Sequence, residues 1–119
     1  MFKSIFFLSI FLIPFTASAQ IKAKTPAGSA SASIEQAIKL SEVGHCADAL
    51  PVLKRSAAHV ADKDLKRRAG LAGVRCAMNL NHPEQAVDFL QWLQHDFPGD
   101  PEVLYVAVHA YSDLSVRSS

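Results

Sequence analysis

The organisation of this chain is clearest between Asn81 and Pro101, NHPEQAVDFLQWLQHDFPGDP, which contains a helix with its start and stop signals. Pro83 stands where a first helical turn tolerates a residue without an N–H, and Asn81 or His82 can cap the helix. Pro98 and Gly99 then end it. Between these signals the apolar residues recur at helical spacing on one face: Ala86, Leu90, Leu93 and Phe97. Another helix opens directly afterwards, so the stretch predicts two antiparallel helices, the unit of a helical solenoid.

The rest of the chain predicts three more helices by the same signals. Asp62 or Asp64 can cap the third helix, whose many small residues suggest close helix packing, and Asp100 can cap the helix that opens at Pro101. Ser33 and Gln36 have the form of a capping box. Pro51 should bend the second helix because it lacks an N–H to donate, unless that helix starts a little later in the sequence. No segment shows the sustained alternation of a strand, so the fold class is all-α. The five predicted helices cover approximately residues 34–43, 46–59, 64–80, 83–97 and 101–114.

The first residues have the order of a secretory signal peptide. Lys3 is followed by an apolar run from Ile5 to Phe15, and the small residues Ala17 to Ala19 favour cleavage after Ala19. An uncleaved anchor is the alternative, but the run is shorter than the ~20 residues that span a bilayer. We therefore predict an exported protein, periplasmic or secreted, with residues 1–19 as signal peptide and no stable membrane insertion after cleavage.

Composition separates a linker from the folded part. Residues 20–33, QIKAKTPAGSASAS, are small and polar and cannot bury enough apolar surface to offset the entropy of ordering them, so we predict a flexible linker. The predicted domain is 34–119. Without Lys3 the chain has 11 basic and 11 acidic residues. This balance lacks the clustered basic face of a nucleic-acid-binding domain, and we expect no nucleic-acid partner.

The helix pairs repeat at an informative period. Gly70 and Leu104 are 34 residues apart, and the second helix of that repeat supplies alanine, apolar and proline positions at Ala86, Leu90 and Pro98. The first helix has small residues where large ones are typical: Gly70, Gly73, Val74 and Ala77. On these positions the chain resembles the tetratricopeptide-repeat (TPR) family from residue 34 to its end, with two repeats and the first helix of a third. The resemblance implies a short right-handed α-solenoid of stacked helix pairs.

Stacked repeats cover one another, and the last helix of this chain carries an apolar stripe with no following helix. Its members are Leu104, Val108, Tyr111 and Leu114. We expect that the chain is the N-terminal part of a longer array. The alternative is that the stripe associates with another molecule, including self-association through this C-terminal helix.

The TPR resemblance also implies where a partner binds. In that family the first helix of each repeat lines a concave groove for extended peptides or partner helices. Carried onto this chain, the groove-facing residues are Ile34, Ile38, Arg68, Arg75, Met78, Asn79, Tyr105 and His109. Arg75, Asn79 and Tyr105 offer bidentate, amide and aromatic contacts, although each can equally be an ordinary solvated or packed helix position. The basic carboxylate clamp of chaperone-binding members has no convincing counterpart here.

Two cysteines, Cys46 and Cys76, fall in helices that pack together in a repeat array, and export places them in an oxidising compartment. We predict a disulfide between them, which by chain entropy adds roughly 3 kcal/mol to stability. Two buried thiols are the alternative. The spacing is not C-x-x-C, which argues against redox catalysis or a zinc site.

The remaining polar residues form no catalytic or metal-binding pattern. The five histidines lack the i, i+4 pairing and placed carboxylate of H-E-x-x-H, and no nucleophile elbow or glycine-rich phosphate loop occurs. We therefore predict a non-enzymatic scaffold without metal or cofactor that binds a peptide or partner protein. Two alternatives are an accessory N-terminal region of a larger exported enzyme and a self-assembling envelope component.

Overall fold

The computed structural model describes residues 26–119, with side chains from residue 31 onward, and these residues form an all-α structure without strands. The predicted signal peptide lies outside the described residues. Five α-helices follow one another, with a short 3-10 helix, Ala57–His59, after the second. They are α1 (Pro26–Glu42), α2 (Cys46–Ser56), α3 (Lys63–Asn79), α4 (Pro83–Asp96) and α5 (Pro101–Arg117).

The predicted start signals are used at α3 and α5. The Asp62 carboxylate accepts a hydrogen bond of 2.9 Å from the backbone N–H of Leu65, and Asp100 accepts from the N–H groups at the start of α5. At α4 the cap position is His82, whose side chain makes no capping bond. Asn81 instead adopts φ 60° in the α3–α4 turn, a left-handed conformation that asparagine tolerates.

Two segments differ in detail from the sequence-based boundaries. The backbone is already helical at Pro26, although composition predicts a linker as far as residue 33. Ile34 is the first buried side chain of α1 among those described, which agrees with the predicted start of the core. Pro51 remains inside α2, on the exposed side of the helix. A proline is tolerated there because its missing N–H affects a solvent-facing part of the helix rather than the core.

The helices pack mainly with their neighbours in sequence. α3 is central, since it contacts α1, α2, α4 and α5, whereas no backbone contact joins α2 to α4 within the described residues. The core lies between these layers and is wholly apolar. Its largest fully buried side chains are Ile34, Leu53, Val74, Cys76, Leu90, Leu93 and Val103. Ile34 and Ile38 are 0% and 3% exposed, so the prediction that they face a partner groove is wrong; they pack beneath α2 and α3 instead.

The small residues of α3 allow α4 to approach closely. A Cβ atom on Gly70 would lie 2.6 Å from Cδ2 of Leu93, and one on Gly73 would lie 2.5 Å from Cε1 of Phe89. Distances this short are clashes, so only glycine fits at either position without a shift of α4. The space that larger side chains of α3 would occupy at these glycines is filled by large side chains of α4, chiefly Phe89, which is 4% exposed.

Cys46 and Cys76 lie at disulfide-bonding distance, with their Cα atoms 5.0 Å apart, which is consistent with the predicted bond. Cys46 is the first residue of α2, and Cys76 lies in the last turn of α3. Both are buried. The pair therefore ties the start of the second helix to the end of the third.

Candidate functional site

The most distinctive polar surface lies in a groove between α3 and α5. α3 contributes Arg75, Met78 and Asn79 from its last two turns, and α5 contributes Tyr105 and His109 from its middle. The groove has a volume of about 460 Å³. Ile34 and Ile38 are buried, and of the other six residues predicted to face a partner, five are thus brought together on one surface.

The groove has a small, apolar floor, formed by Val74, Val106 and Ala110. Val74 and Ala110 are buried and Val106 is half-buried. Because these side chains are short, the longer side chains of the two helices stand above them as walls. A ligand in the groove would meet apolar contact below and polar groups at the sides.

The aromatic wall is a pair of neighbouring rings on α5. The rings of Tyr105 and His109 have centroids 4.2 Å apart at an interplanar angle of 54°. Residues four apart stand over one another on a helix, which explains the contact. Tyr105 is nevertheless 65% exposed, so most of its ring remains open to a partner.

The opposite wall carries charge and hydrogen-bonding groups. Arg75 is exposed and makes no ion pair or side-chain hydrogen bond with any other described residue. The Nδ2 atom of Asn79 lies 3.9 Å from Sγ of Cys46, so the groove borders the cysteine pair. Asp113 lies at the far end and forms an ion pair of 2.9 Å with Arg117. Counting only residues whose side chains are described, the groove therefore offers the Arg75 guanidinium without an ion-pair partner and the Asn79 amide, while its lining acid, Asp113, is already paired.

The sixth predicted residue, Arg68, lies elsewhere. Its guanidinium is 3.9 Å from the Glu35 carboxylate of α1, on the side of α3 that faces α1. Sequence reasoning missed Val74, Val106, Ala110 and Asp113 as groove residues. The position of Asp113, one turn after His109, was a usable signal, whereas the small floor residues resemble any core position.

An ion-pair cluster fixes the start of α5 against α3. Arg67 of α3 pairs with Asp64, with Asp100 at 3.8 Å and with Glu102. The hydrogen bonds that the Arg67 guanidinium donates to Glu102, and then to Asp64, raise the pKa of Arg67, so it stays charged at all ordinary pH values. This cluster sets the separation of the two helices at one end of the groove.

A second contact fixes the end of α4 to the start of α3. Lys66 pairs with Asp96, and its Nζ lies 5.6 Å from the ring centroid of Trp92. The hydrogen bond from Lys66, assisted by one from His95, lowers the pKa of Asp96. Trp92 is half-buried and packs against the core.

Among residues 26–119 there is no group of three or more histidine, cysteine or acidic residues able to hold a metal ion. In the same part of the chain no helix is long and apolar enough to cross a bilayer. Comparison of the chain with protein-family models, with curated proteins and with solved structures gives no match.

Proposed function

We propose that the chain is an exported TPR-like scaffold that binds an extended peptide or a segment of a partner protein in the α3–α5 groove. One observation carries the proposal: Arg75, which has no ion-pair partner among the described side chains, and the exposed Tyr105–His109 pair face one apolar-floored groove. A free guanidinium suits a carboxylate or backbone carbonyl, and an open aromatic ring gives large contact area at low entropic cost.

The repeat architecture is part of the same proposal. Neighbour-to-neighbour packing of α1 to α5, and the 34-residue spacing of α3 and α5, are features of a TPR-like solenoid. In such an array α1, α3 and α5 are the first helices of successive repeats, so the groove lies on the concave face. Export is supported by the Cys46–Cys76 geometry, since disulfides persist in oxidising compartments.

The test is selection of random peptides against the oxidised full chain, followed by affinity measurement on the variants Arg75→Gln and Tyr105→Ala. Losing a charge-assisted bidentate bond should weaken binding by roughly 10-fold or more. Arg55→Gln is the matched control, because Arg55 is also exposed and without an ion pair among the described residues but lies on α2 outside the groove. Failure to select any peptide, or equal losses in Arg75→Gln and Arg55→Gln, would contradict the proposal.

A further inference from the structure

A separate groove lies between α2 and α4, two helices that make no backbone contact with each other within the described residues. Its volume is about 460 Å³, which lies in the range of small-molecule sites. Its main lining residues are Leu50, Lys54, Arg55, Leu80, His82 and Gln85. We call this cavity the α2–α4 groove. It shares no lining residue with the α3–α5 groove, so the two are distinct surfaces.

The walls of the α2–α4 groove come from helices inside the described order, not from the end of the chain. α3 contacts both α2 and α4, and Leu80, directly after α3, lines the groove between them. In a stacked array a further helix packs against the first or the last helix of the stack. The groove is therefore complete within α2 to α4, and what occupies it does not depend on a helix before α1 or after α5.

Three basic or imidazole side chains give this groove its donors. Lys54 and Arg55 are exposed, and neither makes an ion pair or a side-chain hydrogen bond with another described residue. The side chain of His82 makes no capping bond, and its ring donates from one nitrogen when neutral and from both when charged. All three are therefore available to a ligand that accepts hydrogen bonds.

Gln85 adds an amide donor. Its Oε1 atom is buried and has no hydrogen-bond partner among the described residues. Its Nε2 atom is not one of the buried atoms without a partner, and it makes no described hydrogen bond, so it is accessible to solvent. The accessible end of this amide is therefore its NH₂ group, which donates two hydrogen bonds.

The charge of the groove is positive. No carboxylate among the described side chains lines it. A smaller cavity of about 190 Å³ adjoins it, since Lys54 and Gln85 line both, and Asp88 lines only the smaller one. Like charges in one cavity repel each other, and a bound anion relieves the repulsion between Lys54 and Arg55. The charge pattern favours a negatively charged ligand.

Apolar surface lies beside the donors. Leu50 is 4% exposed and Leu80 is half-buried, and both line the groove. Ala47 and Pro51 extend the apolar side along α2. An anion without an apolar part would leave this surface in water, whereas a ligand with an apolar part covers it. The groove therefore suits an anion with an apolar body.

We propose that the α2–α4 groove binds a small organic carboxylate with an apolar body. The carboxylate accepts paired hydrogen bonds from the Arg55 guanidinium and further ones from Lys54 and the Gln85 amide, while the body packs on Leu50 and Leu80. Because Arg55 and Lys54 are exposed, water and salt screen their charges, and the affinity is modest. For a ligand of about ten non-hydrogen atoms we expect a dissociation constant of roughly 0.1–1 mM.

A nuclear magnetic resonance titration of the oxidised full chain with phenylacetate tests the proposal. The backbone amide signals around Lys54, Arg55 and Gln85 should shift together and give one dissociation constant. Phenylacetamide has the same body without the charge, and acetate has the charge without the body, so each should bind roughly 10-fold more weakly. Equal binding of phenylacetate and phenylacetamide, or shifts centred on Tyr105 and His109, overturns the proposal.

Variants locate the charge contacts. Arg55→Gln and Lys54→Gln should each weaken phenylacetate binding roughly 5-fold or more, because each removes a charge-assisted hydrogen bond. Asp88→Asn should strengthen it by about 2-fold, because it removes the acid of the adjoining cavity. These positions are exposed, and circular dichroism confirms that each variant is folded.

Arg75→Gln is the matched control for the titration. Arg75 is also exposed and without an ion pair among the described residues, but it lies in the α3–α5 groove, so its replacement should leave the dissociation constant of phenylacetate within about 2-fold. Equal losses in Arg55→Gln and Arg75→Gln, or a loss of affinity in Asp88→Asn, exclude the site.

Discussion

The substitution Gly73→Ala sets two effects of known size against each other in α3. Alanine is better than glycine in a helix interior by about 0.8–1.0 kcal/mol, so propensity alone predicts a more stable protein. The new Cβ, however, would lie 2.5 Å from Cε1 and 2.6 Å from Cζ of Phe89. Overpacking a filled core costs about 1–3 kcal/mol, and Phe89 is 4% exposed, so its ring has little room to move. We expect a net loss of about 1 kcal/mol.

The loss is measured as the free energy of unfolding of the oxidised chain in urea, and as a fall in Tm of about 4–8 °C per kcal/mol. A double-mutant cycle with Phe89→Ala separates the two effects. Alanine lacks the ring atoms that lie near Gly73, which include Cδ1 as well as Cε1 and Cζ, so Gly73→Ala in that background should keep only its propensity gain and stabilise the protein. The coupling between the two substitutions should be about 1–3 kcal/mol, equal to the relieved clash.

Ser112→Ala on the exposed side of α5 is the control, because it changes helix propensity without any packing contact. If Gly73→Ala stabilises the unmodified chain by about as much as propensity predicts, and the cycle shows no coupling, then α4 does not lie against α3 as described here. The α3–α4 pair would then need another packing, and the proposed TPR-like repeat would lose the helix pair on which it rests.

Three further predictions concern links between elements. Replacing both Cys46 and Cys76 by serine should lower the free energy of unfolding by about 3–4 kcal/mol, since the disulfide closes a loop between cysteines that are 30 residues apart. Urea unfolding of the oxidised, reduced and substituted chains measures this loss. The pKa of Asp96 is lowered in the folded state, so its carboxylate stabilises the fold above the unfolded pKa of about 3.9, and this stabilisation is lost as pH falls through the folded pKa. Lys66→Met should remove this pH dependence from the free energy of unfolding, measured between about pH 2 and 6. Asp100→Ala removes the cap of α5 and should cost about 1 kcal/mol by thermal unfolding, more than Asp100→Asn, which keeps an acceptor.

The helices were predictable because their signals are local. Pro83 and Pro101 each begin a helix in the structure, and Asp62 caps α3 as one of the two predicted alternatives. The end of α2 was less certain: the last turn predicted to His59 is a 3-10 helix from Ala57. Sequence periodicity cannot separate these two helix types at an end, where the hydrogen bonding commonly tightens.

Packing across the helices was only partly predictable. The small residues of α3 predicted close approach, and Gly70 and Gly73 indeed lie against α4. The partner Phe89 was not foreseen, because it lies just off the stripe through Ala86 and Leu90. What fills the space above a glycine depends on the rotation of the facing helix, which no local pattern specifies. The same reason explains why Ile38 was placed in a groove rather than in the core.

The candidate groove was predictable where its lining depends only on which helix, and which face of that helix, a residue belongs to. Arg75 and Asn79, one turn apart on α3, share a face by helical geometry alone, and the 34-residue period places Tyr105 and His109 on the neighbouring helix. Arg68 was grouped with them because it also lies on α3. Its pairing with Glu35 depends on where α1 sits, which is a tertiary contact.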